Sequence, residues 1–120
     1  MIAYTMLGTN DLSRAGAFYD ALFDPLGYKR LFEDGDKIGW GAEYPLFFAT
    51  KPFDGNRATV GNGTMIALLM KNPAEIDVTH LQALKLGGSD EGAAGPRGSS
   101  FYCAYFRDLD GNKINLCCLI

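Results

Sequence analysis

Histidines, cysteines and clustered carboxylates are the side chains that most often carry chemistry, and this chain has few of them. It holds one histidine and three cysteines in 120 residues. A zinc, iron or nickel site wants three or four His, Cys, Asp or Glu side chains converging on one face. His80 instead lies between Ile76 and Ala83 in a segment with helical spacing, and reads as a structural or partly exposed helix histidine. Cys117 and Cys118 are adjacent, so on a strand they leave from opposite faces, with Cys117 on the side of Lys113, Asn115 and Leu119. A thiolate nucleophile needs a nearby cation or imidazole to lower its pKa. The sequence supplies no obvious one, and Cys103, Cys117 and Cys118 read as structural. Asp108-Leu109-Asp110-Gly111-Asn112 starts like a calcium loop but lacks a third spaced acidic residue and the closing glutamate, so it reads as a hairpin turn. Gly61-Asn62-Gly63-Thr64 lacks the lysine of a phosphate loop and reads as a turn into a strand. The stretch Gly92 to Gly98 has no packing side chains and reads as a mobile loop, either a passive linker or a lid carrying Arg97 as an anion contact.

The composition narrows the setting for any such chemistry. With 48% hydrophobic and 21% charged residues, the chain falls among soluble globular proteins and can bury a core without disulfides or a structural metal. An odd number of cysteines, no C-x-x-C pair and no readable signal segment make a reducing cytoplasm the expected location. Apolar runs such as Met65 to Met70 are far short of the roughly 20 residues that span a bilayer, so no membrane partner is expected. A net charge of -3 with no basic cluster longer than Lys29-Arg30 argues against nucleic acid, whose affinity rests on phosphate neutralisation.

The elements that must position these residues follow a repeated order. Met1 to Gly8 reads as a strand, and residues 12 to 23 as an amphipathic helix that Asn10-Asp11 caps and Pro25 and Gly27 close. Residues 28 to 33, 36 to 42 and 45 to 50 read as three strands. After the polar stretch Pro52 to Asn62 the pattern restarts with a strand from Thr64 to Met70. Asn72-Pro73-Ala74-Glu75 opens a second helix with a capping asparagine, a first-turn proline and a capping-box glutamate. That helix runs to about Leu86, where Gly87-Gly88 ends it. Strands near 89 to 92, 101 to 107 and 113 to 120 complete the half. Leu26-Gly27 and Leu86-Gly87 close the two helices sixty positions apart, half the chain. The reading is an internal duplication: an α+β domain of two βαβββ units, about 1–55 and 60–120, whose paired curved mixed sheets surround a central cleft.

Three segments carry a family resemblance: the opening Met1 to Leu12; Phe18-Tyr19-Asp20 with Leu26-Gly27-Tyr28; and the closing Phe106-Arg107-Asp108-Leu109-Asp110-Gly111-Asn112-Lys113-Ile114. Together, in order and spacing, they resemble the vicinal oxygen chelate superfamily of glyoxalases, bleomycin resistance proteins and extradiol dioxygenases. The resemblance implies a cleft holding one divalent metal on His or Glu side chains of the first and last strands. Carried onto this sequence, those positions fall on Tyr4, Met65 and Asn115. A thioether and a carboxamide replace imidazole and carboxylate poorly, and a phenol must lose a proton near pH 10 to become a good ligand. The expectation is therefore no metal cofactor, and no Lewis acid for the usual glyoxalase chemistry.

The aromatic supply suggests a binding surface instead. Trp40, Phe47, Phe48, Phe101, Tyr102 and Tyr105 lie on strands that would wall the cleft, and alternation sends only some of them inward. Tyr4, Trp40, Phe48, Met65, Tyr102 and Asn115 are the candidate ligand contacts, with Arg107 a further polar anchor. Three functions compete: a metal-free binder of small molecules, like the bleomycin resistance proteins; a lyase, isomerase or dioxygenase using an unrecognised metal site or Tyr4 as an acid; and a non-catalytic structural or interaction module. A homodimer is expected from what the resemblance implies.

Overall fold

The computed structural model describes all 120 residues and divides them into two compact units, Met1–Val60 and Gly61–Ile120. The first contains β1 (Thr5–Gly8), α1 (Leu12–Phe23), a 3₁₀ turn (Asp24–Leu26), β2 (Lys29–Glu33), β3 (Lys37–Gly41) and β4 (Phe47–Thr50). Its sheet runs β1-β4-β3-β2, with β1 parallel to β4 and the other pairs antiparallel. The second contains β5 (Ile66–Leu69), α2 (Pro73–Lys85), β6 (Ser89–Arg97), β7 (Phe101–Arg107) and β8 (Lys113–Leu119). Its order is β5-β8-β7-β6, again with a single parallel pair, β5 with β8. The α+β class and the repeated βαβββ order are those that the sequence predicts. None of the helices is long and apolar enough to cross a membrane.

Local chemistry sets the helix ends. The Asp11 side chain accepts from Arg14 N–H at 3.0 Å and starts α1. In α2, Asn72 Oδ1 accepts from Glu75 N–H at 2.9 Å, while Glu75 Oε2 reaches back to Lys71 N–H at 2.8 Å. The capping box thus closes one residue before the cap itself. Gly27 (φ 85°) and Gly87 (φ 104°) both close their helices in the left-handed region, which costs other residues roughly 1–2 kcal/mol. The two positions are equivalent in the repeat.

Strand alternation then sorts each sheet into two faces. In the first unit Leu7, Ile38, Trp40, Phe47 and Ala49 are buried on the α1 side, where Tyr19 lies 4.8 Å from Phe47 and 5.5 Å from Trp40 between ring centroids. Met6, Gly39 and Phe48 occupy the helix-free face. A Cβ on Gly39 would stand 2.5 Å from the Phe48 ring, so the missing side chain is what lets that ring lie down on β3. In the second unit Ala104, Phe106, Ile114, Leu116 and Cys118 are buried on the α2 side with Ile76 and Ala83. Each large apolar side chain so buried contributes about 1.5–3 kcal/mol.

One expectation is corrected. β6 does not stop at residue 92 to release a loop or lid; it continues to Arg97 as the edge strand beside β7. Its pairing is made by main-chain groups, interrupted between Asp90 and Gly92 and between Gly92 and Gly95, and needs no apolar side chains. An edge position also tolerates Pro96. Arg97 is spent locally, donating to the carbonyls of Ala93, Gly95 and Pro96. Strand ends are trimmed elsewhere: Tyr4 and Met65 sit immediately before β1 and β5.

Candidate functional site

In the second unit the helix-free face is built by β5, β8 and β7. Ala67 pairs with Asn115 and Leu69 with Cys117 in the parallel ladder; Asn115 faces Tyr105 and Cys117 faces Cys103 in the antiparallel one. Ile120 N–H donates to Ser100 O at 3.0 Å and Asp108 N–H to Asn112 O at 2.9 Å. With a regular register between these two bonds, Tyr105 with Asn115 and Cys103 with Cys117 are non-hydrogen-bonded pairs, the type in which side chains approach most closely. Asn115 is only 7% exposed, and its Oδ1 is buried without any hydrogen-bond partner. Most buried polar atoms are paired, so an orphan acceptor calls for an explanation. By alternation Met65 belongs to this face too. The cations Arg97 and Lys113 lie over the Tyr105 ring, 5.4 and 5.6 Å from its centroid. Burial, then the neighbouring Cys103 thiol, push the Tyr105 phenol above its ordinary pKa.

In the first unit Tyr4 packs on Phe48 at 5.2 Å and Phe32 on Phe48 at 5.9 Å between centroids, so three aromatic rings share the helix-free face. Beside Met6 a pocket of about 790 Å³ opens, lined among others by Thr50, Lys37, Lys51, Phe53 and Arg57. Asn10 fixes the loop that walls it, accepting from Ala58 N–H at 2.7 Å and donating to Ala58 O at 3.1 Å. The sequence showed this stretch only as polar and glycine-bearing. Its signal was two cations, Lys51 and Arg57, flanking an aromatic residue.

Of the six residues singled out by sequence, Tyr4 and Phe48 come together in the first unit, and Met65 and Asn115 share a face in the second. Trp40 and Tyr102 point the other way. Trp40 is 1% exposed under α1 and its indole N–H donates to Asp20 Oδ1 at 2.8 Å; it is a core residue. Tyr102 turns toward α2, where its hydroxyl donates to Asp77 Oδ1 at 2.7 Å, a bond that holds the phenol above its ordinary pKa. Tyr105 is the ring beside Asn115. Pairing β7 with β8 outward from the Asp110-Gly111 turn would have found it. Arg107 is engaged by Glu91 at 2.8 Å and by Gly111 O at 3.1 Å. His80 is buried on the α2 side with Nε2 3.1 Å from Tyr105 O and 3.2 Å from Asp90 Oδ1. The Asp108 carboxylate is consumed by its own turn, accepting from Asp110 N–H, Asn112 N–H and the Asn112 amide.

A glyoxalase/bleomycin resistance protein from Albidiferax ferrireducens T118 is 34% identical to this chain, with a TM-score of 0.88 over 96% of this chain and 95% of that one. The chain belongs to the glyoxalase/bleomycin resistance protein family. Two more distant structures share the fold of this family, within the vicinal oxygen chelate superfamily. One is a glyoxalase/bleomycin resistance protein/dioxygenase family enzyme from Burkholderia phytofirmans PsJN (13% identity, TM-score 0.79, 99% and 98% of the two chains). The other is lactoylglutathione lyase from Agrobacterium tumefaciens (21%, 0.72, 98% and 92%). No family model and no curated protein matches the sequence.

The resemblance implies a divalent metal held at the positions of Tyr4, Met65 and Asn115, and the donors that these residues offer do not fit one. Tyr4 offers a phenol packed against Phe48, Met65 a thioether, and Asn115 a neutral amide. All are weak ligands for a hard or borderline cation. No group of three or more His, Cys, Asp or Glu side chains gathers elsewhere.

Proposed function

We propose that this chain is a small-molecule-binding member of the family that works without a resident divalent metal. The observation that carries the reading is the buried, unpartnered Oδ1 of Asn115 on a face that also holds Met65 and Tyr105. Leaving a buried acceptor unsatisfied costs about 1–3 kcal/mol, a cost that a ligand donor would remove. The ligand is accordingly a small, partly apolar molecule with an N–H or O–H group aimed at Asn115. Met65 supplies an adaptable apolar contact, and Tyr105 an aromatic edge flanked by positive charge. In the first unit, Tyr4, Phe48 and Phe32 make a separate aromatic surface.

The test is a thermal-shift screen of aromatic metabolites, dicarbonyls and glycopeptide drugs against protein stripped with a chelator. At least one compound bearing a donor group raises the melting temperature in a concentration-dependent way. Stabilisation that appears only after zinc, nickel, iron or manganese is restored would refute the reading.

We also propose that the chain forms a homodimer. Support comes from exposed apolar side chains at both sheets, including Met6 and Leu46 in the first unit and Leu69 and Leu119 in the second, and from β1 and β5 being edge strands of their sheets.

A further inference from the structure

Cys103 and Cys117 are directly opposed on β7 and β8, and both are free thiols. They form a non-hydrogen-bonded pair by the register established above. Such pairs bring Cα atoms to about 4.5 Å, within the roughly 4.4–6.8 Å that a disulfide bridges. Cys103 is buried at 4% exposure, while Cys117 is partly open. Cys118, the third thiol, points to the α2 side opposite Tyr102. The geometry therefore separates one accessible thiol, one buried thiol within its reach, and one thiol excluded from both.

We propose that Cys103 and Cys117 form a thiol-redox site that exchanges with low-molecular-weight disulfides and closes a cross-strand disulfide. The Cys117 thiol loses its proton to water, and the thiolate attacks one sulfur of the small disulfide. That S–S bond breaks, one thiolate leaves and is protonated, and Cys117 carries a mixed disulfide. Cys103 then loses its proton and attacks the Cys117 sulfur, expelling the second small thiol. Two protein thiols and one small disulfide become one protein disulfide and two small thiols, so atoms and electrons balance. Burial, and after it the Cys103 and Cys118 groups, raise the pKa of Cys117, which makes it a slow nucleophile that needs a concentrated disulfide partner. A bridge across neighbouring strands is also open to reduction when strained. The site is separate from the function proposed above, because it concerns the thiols themselves and not a bound ligand.

The experiment treats the folded full-length protein with millimolar oxidised glutathione, blocks free thiols, digests with trypsin and maps the products by mass spectrometry. The result expected is a linkage between the peptide 98–107, which holds Cys103, and the peptide 114–120, which holds Cys117 and Cys118, with one free thiol per chain. Cys118→Ser keeps that linkage, Cys117→Ser loses it, and Cys103→Ser accumulates one glutathione per chain on Cys117. The proposal is overturned if no linked peptide forms, if the linkage survives Cys117→Ser, or if Cys103→Ser takes up no glutathione at Cys117. Circular dichroism of each variant establishes that it is folded before the chemistry is read.

Discussion

Asn115 stands opposite Tyr105 in the non-hydrogen-bonded register of β8 and β7, its carboxamide buried and its Oδ1 without a donor. An apolar residue of similar size would satisfy the fold better at that point. Asn115→Leu is therefore expected to raise the free energy of unfolding by about 1–3 kcal/mol, the cost of an orphaned buried polar group. Urea unfolding of the two proteins measures it. A destabilised variant would mean that the amide has a partner in solution and is structural.

Asp20 ties the first unit together, accepting from Arg30 through both carboxylate oxygens and from the Trp40 indole. Burial alone would raise its pKa, but the hydrogen bonds from Arg30 and Trp40 outweigh that and hold the carboxyl below its ordinary value of 3.8. A group whose folded pKa is depressed adds stability above the unfolded value and loses it as pH falls through the folded one. Asp20→Asn should thus be less stable than the parent at pH 6, with the gap closing as the pH is taken below about 4. Asp20→Ala, which leaves the buried indole N–H without an acceptor, should cost about 1–3 kcal/mol at neutral pH. Unfolding curves at pH 3 and pH 6 give both values.

Asn10 holds the loop that walls the first unit's pocket through two hydrogen bonds to Ala58. Asn10→Ala removes both. Hydrogen exchange at the Ala58 amide should accelerate at least tenfold, while exchange in α1 and β3 stays as it was. Unchanged protection at Ala58 would show that the loop is held by other contacts.

The dimer is tested by sedimentation at micromolar concentration. A species near 26 kDa, twice the 13.0 kDa of the chain, is the expected result; a single 13.0 kDa species would contradict it.

Much of the fold was legible in the sequence because its signals are local. Asp11, Asn72-Pro73 and Glu75 start helices through bonds within four residues, and Gly27 and Gly87 end them through their own backbone freedom. The second half of β6 was hidden because residues 93–97, Ala, Ala, Gly, Pro and Arg, pair through the main chain at a sheet edge, which leaves no side-chain period to read. The site was half legible. Alternation showed that Cys117 and Asn115 share a face, yet not which face the helix covers, a question that only packing settles. For that reason alternation alone does not separate Trp40 and Tyr102 from ligand contacts, although Tyr19 and Asp77 draw them to the helix sides. Tyr105, across from Asn115, was hidden among the other aromatics until the register of β7 and β8 was known.

The central claim is that the orphaned amide of Asn115 receives a ligand donor without the help of a metal. Calorimetric titration of a stabilising compound into chelator-treated parent and Asn115→Leu protein tests it most directly. The account predicts binding to the parent and an affinity at least about tenfold weaker in the variant, roughly the worth of one buried hydrogen bond, even as the variant itself unfolds later. Equal affinity in the two proteins, or binding that returns only when a divalent metal is added, would contradict it.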